Sequence, residues 1–251
     1  MNNDSEHKWE PDTGGIRGEE ISFLNNGAEI RGVLFETLAN ARSGIVLVPD
    51  VHGLSSLYEQ LGAALAHAGM RTLVLDIYSR EGAPQLSDMK AVHRWIDALP
   101  DRRILSDIAA AAGYLSATGS SSTGVVGFCL GGQFAIMSAC RIPQFTAAVS
   151  FYGMLQTTQR TPHRPESALD MIRDLACPLL GLYGLEDALI PVSDLDELES
   201  SCSESHLALE LHRYPRAGHA FLNLYRPEAF RPHAAEDAWG RAIEFLQKTL
   251  R

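Results

Sequence analysis

The sequence predicts an α/β protein: one mostly parallel, doubly wound sheet with helices on both faces, led by an N-terminal antiparallel hairpin. Three observations carry this. Short apolar runs at 43–48, 71–76, 123–127, 147–151 and 179–184 lack polar alternation, as expected of strands buried on both faces. Between them lie stretches with helical spacing of apolar residues, at 57–68, 106–116, 130–140, 167–174 and 193–203. Such alternation of strand and helix builds a parallel sheet. Finally, no composition break, repeat or low-complexity linker divides the chain, so 19–251 reads as one domain.

Taken in order, residues 1–18 are polar and aperiodic and are expected to form a mobile tail. Asn25-Asn26-Gly27, between apolar stretches at 21–24 and 28–36, is a hairpin turn, because Asn and Gly tolerate the left-handed backbone that tight hairpins need. The helix at 57–68 stops at Gly69. The last strand is expected at 206–214, and a closing helix at 233–250.

Composition excludes several classes. The chain has 251 residues, 45% of them hydrophobic, enough to bury a core without disulfides or metals. A net charge of −10 argues against nucleic acid, which is met by basic stripes. No long apolar run or signal-type segment is present, so no membrane partner is expected and a cytoplasmic location is the simplest reading. The four cysteines, Cys129, Cys140, Cys177 and Cys202, have no zinc-ligand spacing, and neither metal nor cofactor is expected. The sequence assigns no oligomeric state.

Chemistry enters at Gly127-Phe128-Cys129-Leu130-Gly131. This has the form Gly-x-nucleophile-x-Gly, the sharp strand-to-helix turn of the α/β-hydrolase fold, with cysteine in the usual place of serine. Parallel sheets gather their chemistry at the carboxyl ends of the strands. Asp187 follows the strand at 179–184, and His219 follows the strand at 206–214. The chain order nucleophile, acid, histidine is that of an α/β-hydrolase triad. The thiolate is the attacking species, His219 would hold its proton, and Asp187 would fix the imidazole tautomer. Glu186 competes as the acid, but Asp187 fits the loop Gly184-Leu185-Glu186-Asp187 better. An oxyanion hole needs two donors. The backbone N–H of Leu130 is one, and the N–H of Val51, in the loop after 43–48, is the other.

These motifs resemble the dienelactone hydrolase (carboxymethylenebutenolidase) family over about residues 20–250. The resemblance rests on Gly-Phe-Cys-Leu-Gly-Gly at 127–132, the Asp187 loop, Gly218-His219-Ala220-Phe221 and Asp76-Ile77-Tyr78-Ser79-Arg80. It implies hydrolytic opening of an enol-lactone through a thioacyl-enzyme, with Arg80 binding a substrate carboxylate. Two departures matter. Asp50 stands where the family has a glutamate that helps ionise the cysteine, and His52 stands two residues on instead of an aromatic. Asn223 replaces a second arginine four residues after the histidine, with Arg226 three residues further. Asp50 is therefore expected to act on Cys129 or, alternatively, to cap the helix starting near Ser55. Arg80 alternatively forms a surface ion pair with Glu81 or Asp76.

The leading expectation is a cysteine-dependent hydrolase of a lactone or small activated ester, its partner a small molecule. A general carboxylesterase or thioesterase on the same fold is the alternative. A catalytically silent small-ligand binder is the alternative from another class.

Overall fold

The computed structural model describes residues 8–37, 42–157 and 159–250. Strands β1 (Glu19–Asn25) and β2 (Ala28–Phe35) form the antiparallel hairpin. Asn26 and Gly27 both adopt positive φ, 49° and 77°, as the two-residue turn requires. Strands β3 (Ser43–Val48), β4 (Arg71–Leu75), β5 (Ser122–Phe128), β6 (Phe145–Phe151), β7 (Leu179–Gly184) and β8 (Leu209–Tyr214) run parallel to one another. All eight belong to one sheet in the order β1-β2-β4-β3-β5-β6-β7-β8, with β2 antiparallel to β4. The five apolar runs at β3, β4, β5, β6 and β7 are buried almost throughout, which is why they show no polar alternation.

The helices are α1 (Ser56–His67), α2 (Met89–Ala98), α3 (Asp101–Ala117), α4 (Leu130–Arg141), α5 (Ala168–Met171), α6 (Val192–Glu204) and α7 (Pro232–Thr249). From Leu130 to Cys140 every residue of α4 is buried, so this helix runs through the core and not over its surface. None of the helices among the described residues is long and apolar enough to cross a membrane.

The structure corrects four expectations. Residues 1–7 of the expected tail lie outside the described residues, but within 8–18 Trp9 and Pro11 are buried, the Trp9 ring 6.4 Å from that of Phe230. Helix α2 is additional, with Asp88 accepting from the Ala91 N–H at its start, and α3 begins five residues before the expected 106. The helix expected at 167–174 divides. A Ser167–Asp170 capping box starts α5, which gives way to a 3-10 turn at Ile172–Asp174. Strand β8 starts at Leu209, because His206 takes a φ of 54° that no strand residue adopts.

Candidate active site

Cys129 sits on the turn between β5 and α4 with φ 53° and ψ −115°. A non-glycine residue held there carries strain on the order of 1–3 kcal/mol, which its surroundings must enforce. The Cys129 N–H donates to the Phe151 carbonyl at 3.0 Å, and its carbonyl accepts from the Gln133 N–H at 3.0 Å. Close backbone approach does the rest. A Cβ on Gly127 would lie 1.9 Å from the Gly131 carbonyl oxygen, and one on Gly131 would lie 2.1 Å from that of Val48. The two glycines therefore let β5 fold back on α4, and let α4 abut the end of β3. Cys129 is left half-exposed, whereas Cys140, Cys177 and Cys202 are buried.

Acid and histidine are brought together by backbone contact between the loops after β7 and β8. A Cβ on Gly184 would meet the Ala217 carbonyl at 2.2 Å. The Leu185 N–H donates to the Tyr214 carbonyl at 3.0 Å, and that of Glu186 to the Ala217 carbonyl at 2.9 Å. This joining of the loops sets Asp187 Oδ2 2.7 Å from His219 Nδ1, while Oδ1 accepts from the Leu189 N–H at 2.8 Å. The Asp187 side chain is wholly buried; Glu186 is exposed. Burial pulls the His219 pKa down, but Asp187 and Cys129 outweigh it and lift the group to about 10. Its Nε2 is buried with no aligned hydrogen-bond partner, yet lies close enough to Cys129 for thiol and imidazole to influence each other.

Between β3 and α1, Asp50 organises a tight turn. Its Oδ1 accepts from the His52 N–H at 2.9 Å and its carbonyl from the Gly53 N–H at 2.9 Å, with Gly53 at φ 76°. Ser55 holds the N-cap position of α1 without a side-chain hydrogen bond, so the expected capping role for Asp50 is overturned. The Asp50 carboxylate is buried and faces the Tyr58 hydroxyl, whose pKa is raised by burial first and by Asp50 second. His52 is exposed, on the rim of a cavity of about 530 Å3 that Arg31, Leu54, Asp76 and Tyr78 also line. The Val51 N–H donates to no acceptor among the described residues, and the Leu130 N–H, first in α4, has no acceptor within its helix.

The expected carboxylate-binding residues are otherwise engaged. Arg80 makes a two-pronged contact to Asp107, with Nε to Oδ2 at 3.0 Å and Nη2 to Oδ1 at 2.7 Å, and Nη2 also donates to the Asn25 carbonyl. Arg80 thus ties the hairpin to α3, and the alternative pairing with Glu81 or Asp76 is not formed among the described residues. Asn223 Oδ1 accepts from the Tyr225 N–H at 3.0 Å. Arg226 is half-exposed and holds Glu228.

Three buried tyrosines, to which the sequence assigns no role, stand close to these groups. Tyr58 faces Asp50; the Tyr78 hydroxyl donates to the Val51 carbonyl at 2.9 Å; the Tyr152 ring stands edge-on to His219, centroids 5.3 Å apart. Their sequence signal was slight, since each reads as an ordinary core aromatic beside a strand or on a helix.

A family model described as the dienelactone hydrolase family matches residues 30–250. A Bradyrhizobium protein named "Probable 2-oxo-3-(5-oxofuran-2-ylidene)propanoate lactonase" is 34% identical over 231 residues, covering 90% of this chain and 92% of its own. A Rhodococcus opacus carboxymethylenebutenolidase is 30% identical over 208 residues, covering 82% and 81%. Among solved structures, "Putative Dienelactone Hydrolase" from Klebsiella pneumoniae superposes with a TM-score of 0.88 at 26% identity, covering 93% of this chain and 99% of that one.

Proposed function

Since this chain belongs to the dienelactone hydrolase family, we propose that it opens an enol-lactone, or cleaves a small activated ester, through a thioacyl-enzyme on Cys129. The observation that carries the reading is the half-exposed, strained Cys129 beside an imidazole that Asp187 holds at 2.7 Å and whose proton affinity is raised. A histidine of that affinity takes the thiol proton and leaves a thiolate as nucleophile.

The Cys129 sulfur bonds to the carbonyl carbon, and the carbonyl electron pair moves onto oxygen. The N–H groups of Leu130 and Val51 hold that oxyanion. As the carbonyl re-forms, the ring C–O bond breaks and the enolate departs, taking the proton from His219. An enolate is a better leaving group than an amine, so esters and lactones are favoured over peptides. Water then gives a proton to His219 as it adds to the thioester, and collapse of the second adduct releases Cys129 as thiolate. Asp187 keeps Nδ1 protonated throughout, so Nε2 handles the moving proton. A free thiol of this kind persists in a reducing, cytoplasmic setting.

The test is turnover of an enol-lactone and of p-nitrophenyl acetate, with mass spectrometry of quenched enzyme. The reading requires a +acyl adduct on Cys129 and no turnover by folded Cys129→Ala; hydrolysis by that variant would overturn it.

A further inference from the structure

The loop that supplies the Val51 N–H carries no regular structure of its own, so something outside it must fix its geometry. Two bonds are internal: Asp50 accepts from the N–H groups of His52 and Gly53. The third comes from the segment after β4, where Tyr78 donates its hydroxyl to the Val51 carbonyl at 2.9 Å.

We propose that Tyr78 is a positioning residue for the oxyanion hole, holding the 50–53 turn so that the Val51 N–H faces the developing oxyanion. This rests on the thioacyl reading above.

Several observations converge on it. Tyr78 is buried, and its backbone is itself anchored, its N–H donating to Asp76 Oδ1 at 3.0 Å and its carbonyl accepting from Gly82. Its ring closes on Gly53 so tightly that a Cβ there would lie 2.9 Å from the ring edge. On the other side it meets the Trp95 indole, centroids 5.5 Å apart and nearly perpendicular. Burial raises the Tyr78 pKa, and Asp50, Cys129 and Glu81 raise it further, against a lowering contact from Trp95. The hydroxyl therefore stays protonated, and a donor, through neutral and mildly alkaline pH. It touches no reacting atom, and acts by fixing the Val51 carbonyl and so the backbone of the residue whose N–H is the donor.

Tyr78→Phe keeps the ring and its packing and deletes only the donor. A fully lost oxyanion donor costs about 10²–10³ in rate, and a loosened one costs less. The expected result is a kcat about ten- to a hundredfold lower on p-nitrophenyl acetate, with KM within about twofold. Rates of Cys129 alkylation by iodoacetamide across pH should overlay the parent, because the thiol and His219 are untouched. An aryl trifluoromethyl ketone, whose adduct with a thiolate carries the oxyanion, should lose affinity in parallel with kcat/KM. Unchanged kcat, a loss confined to KM, a shifted alkylation profile, or ketone affinity that does not follow the rate would each overturn the role. Should Tyr78→Phe fold poorly, Gly53→Ala displaces the same ring and loop and must reproduce the split between kcat and KM. Failure of the ketone to form a Cys129 adduct in the parent would instead overturn the thioacyl reading itself.

Discussion

Cys129 differs from its three fellow thiols in being half-exposed and in standing beside an imidazole. Burial pushes Cys140 up to about 12, and Cys177 and Cys202 up to about 11, so these remain neutral thiols in the core. Alanine at any of the three should alter the denaturation midpoint and leave kcat close to the parent, which urea melts and turnover will check. Asp187→Asn should lower kcat on the order of 10³–10⁴-fold by favouring the wrong tautomer, while exposed Glu186→Gln leaves it unchanged. The opposite ranking would reassign the acid. The same pair has a signature in stability. His219 binds its proton more tightly folded, at about 10, than unfolded, near 6.5. That contribution is complete below about pH 6.5 and vanishes as pH climbs through about 10. The Tm deficit of Asp187→Asn should therefore narrow over that window.

At the level of elements, the strained turn and the two joined loops were legible because each is a local pattern. Gly-x-Cys-x-Gly, Gly-x-x-Asp and Gly-His are written within a few residues, and the sheet brings them together. The partners of Arg80 were not, because Asp107 lies on α3, 27 residues away, and nothing near Arg80 names it. Helix α2 is hard to read from the sequence for another reason. Its half-buried face, Val92, Trp95 and Ile96, does have helical spacing behind an Asp88 cap, but no α2 residue is fully buried and the segment reads as polar. Two predictions belong here. Gly184→Ala drives a methyl to 2.2 Å from the Ala217 carbonyl, so it should part the acid loop from the histidine loop. The expected outcome is a large fall in kcat that exceeds the loss of stability, measured side by side. Asp101, at the start of α3, forms a buried ion pair with Arg164, 3.2 Å apart, and Arg164 in turn holds Gln133 of α4 at 2.6 Å. Burial lifts Asp101 to about 6 even against the pull of Arg164. Asp101→Ala strands the guanidinium and should cost about 3–5 kcal/mol in chemical denaturation.

Across the whole molecule, Arg80 links the tip of the hairpin to α3 through Asn25 and Asp107. Arg80→Ala should therefore lower stability and reduce turnover equally for an enol-lactone bearing a free carboxylate and for its methyl ester. A loss concentrated on the acid would establish the carboxylate-binding role instead.

The three chemical groups are also unequally anchored. Cys129 rises from β5, flanked by strands on both sides, but His219 follows β8, which ends the sheet and pairs only with β7. No residue of β8 is fully buried. Edge elements of this kind open separately from the core, at a lower free energy than global unfolding. Warming should thus silence the enzyme before it melts. The amides of β8 should exchange with deuterium at the rate at which activity is reversibly lost, while those of β5 stay protected until the whole sheet gives way.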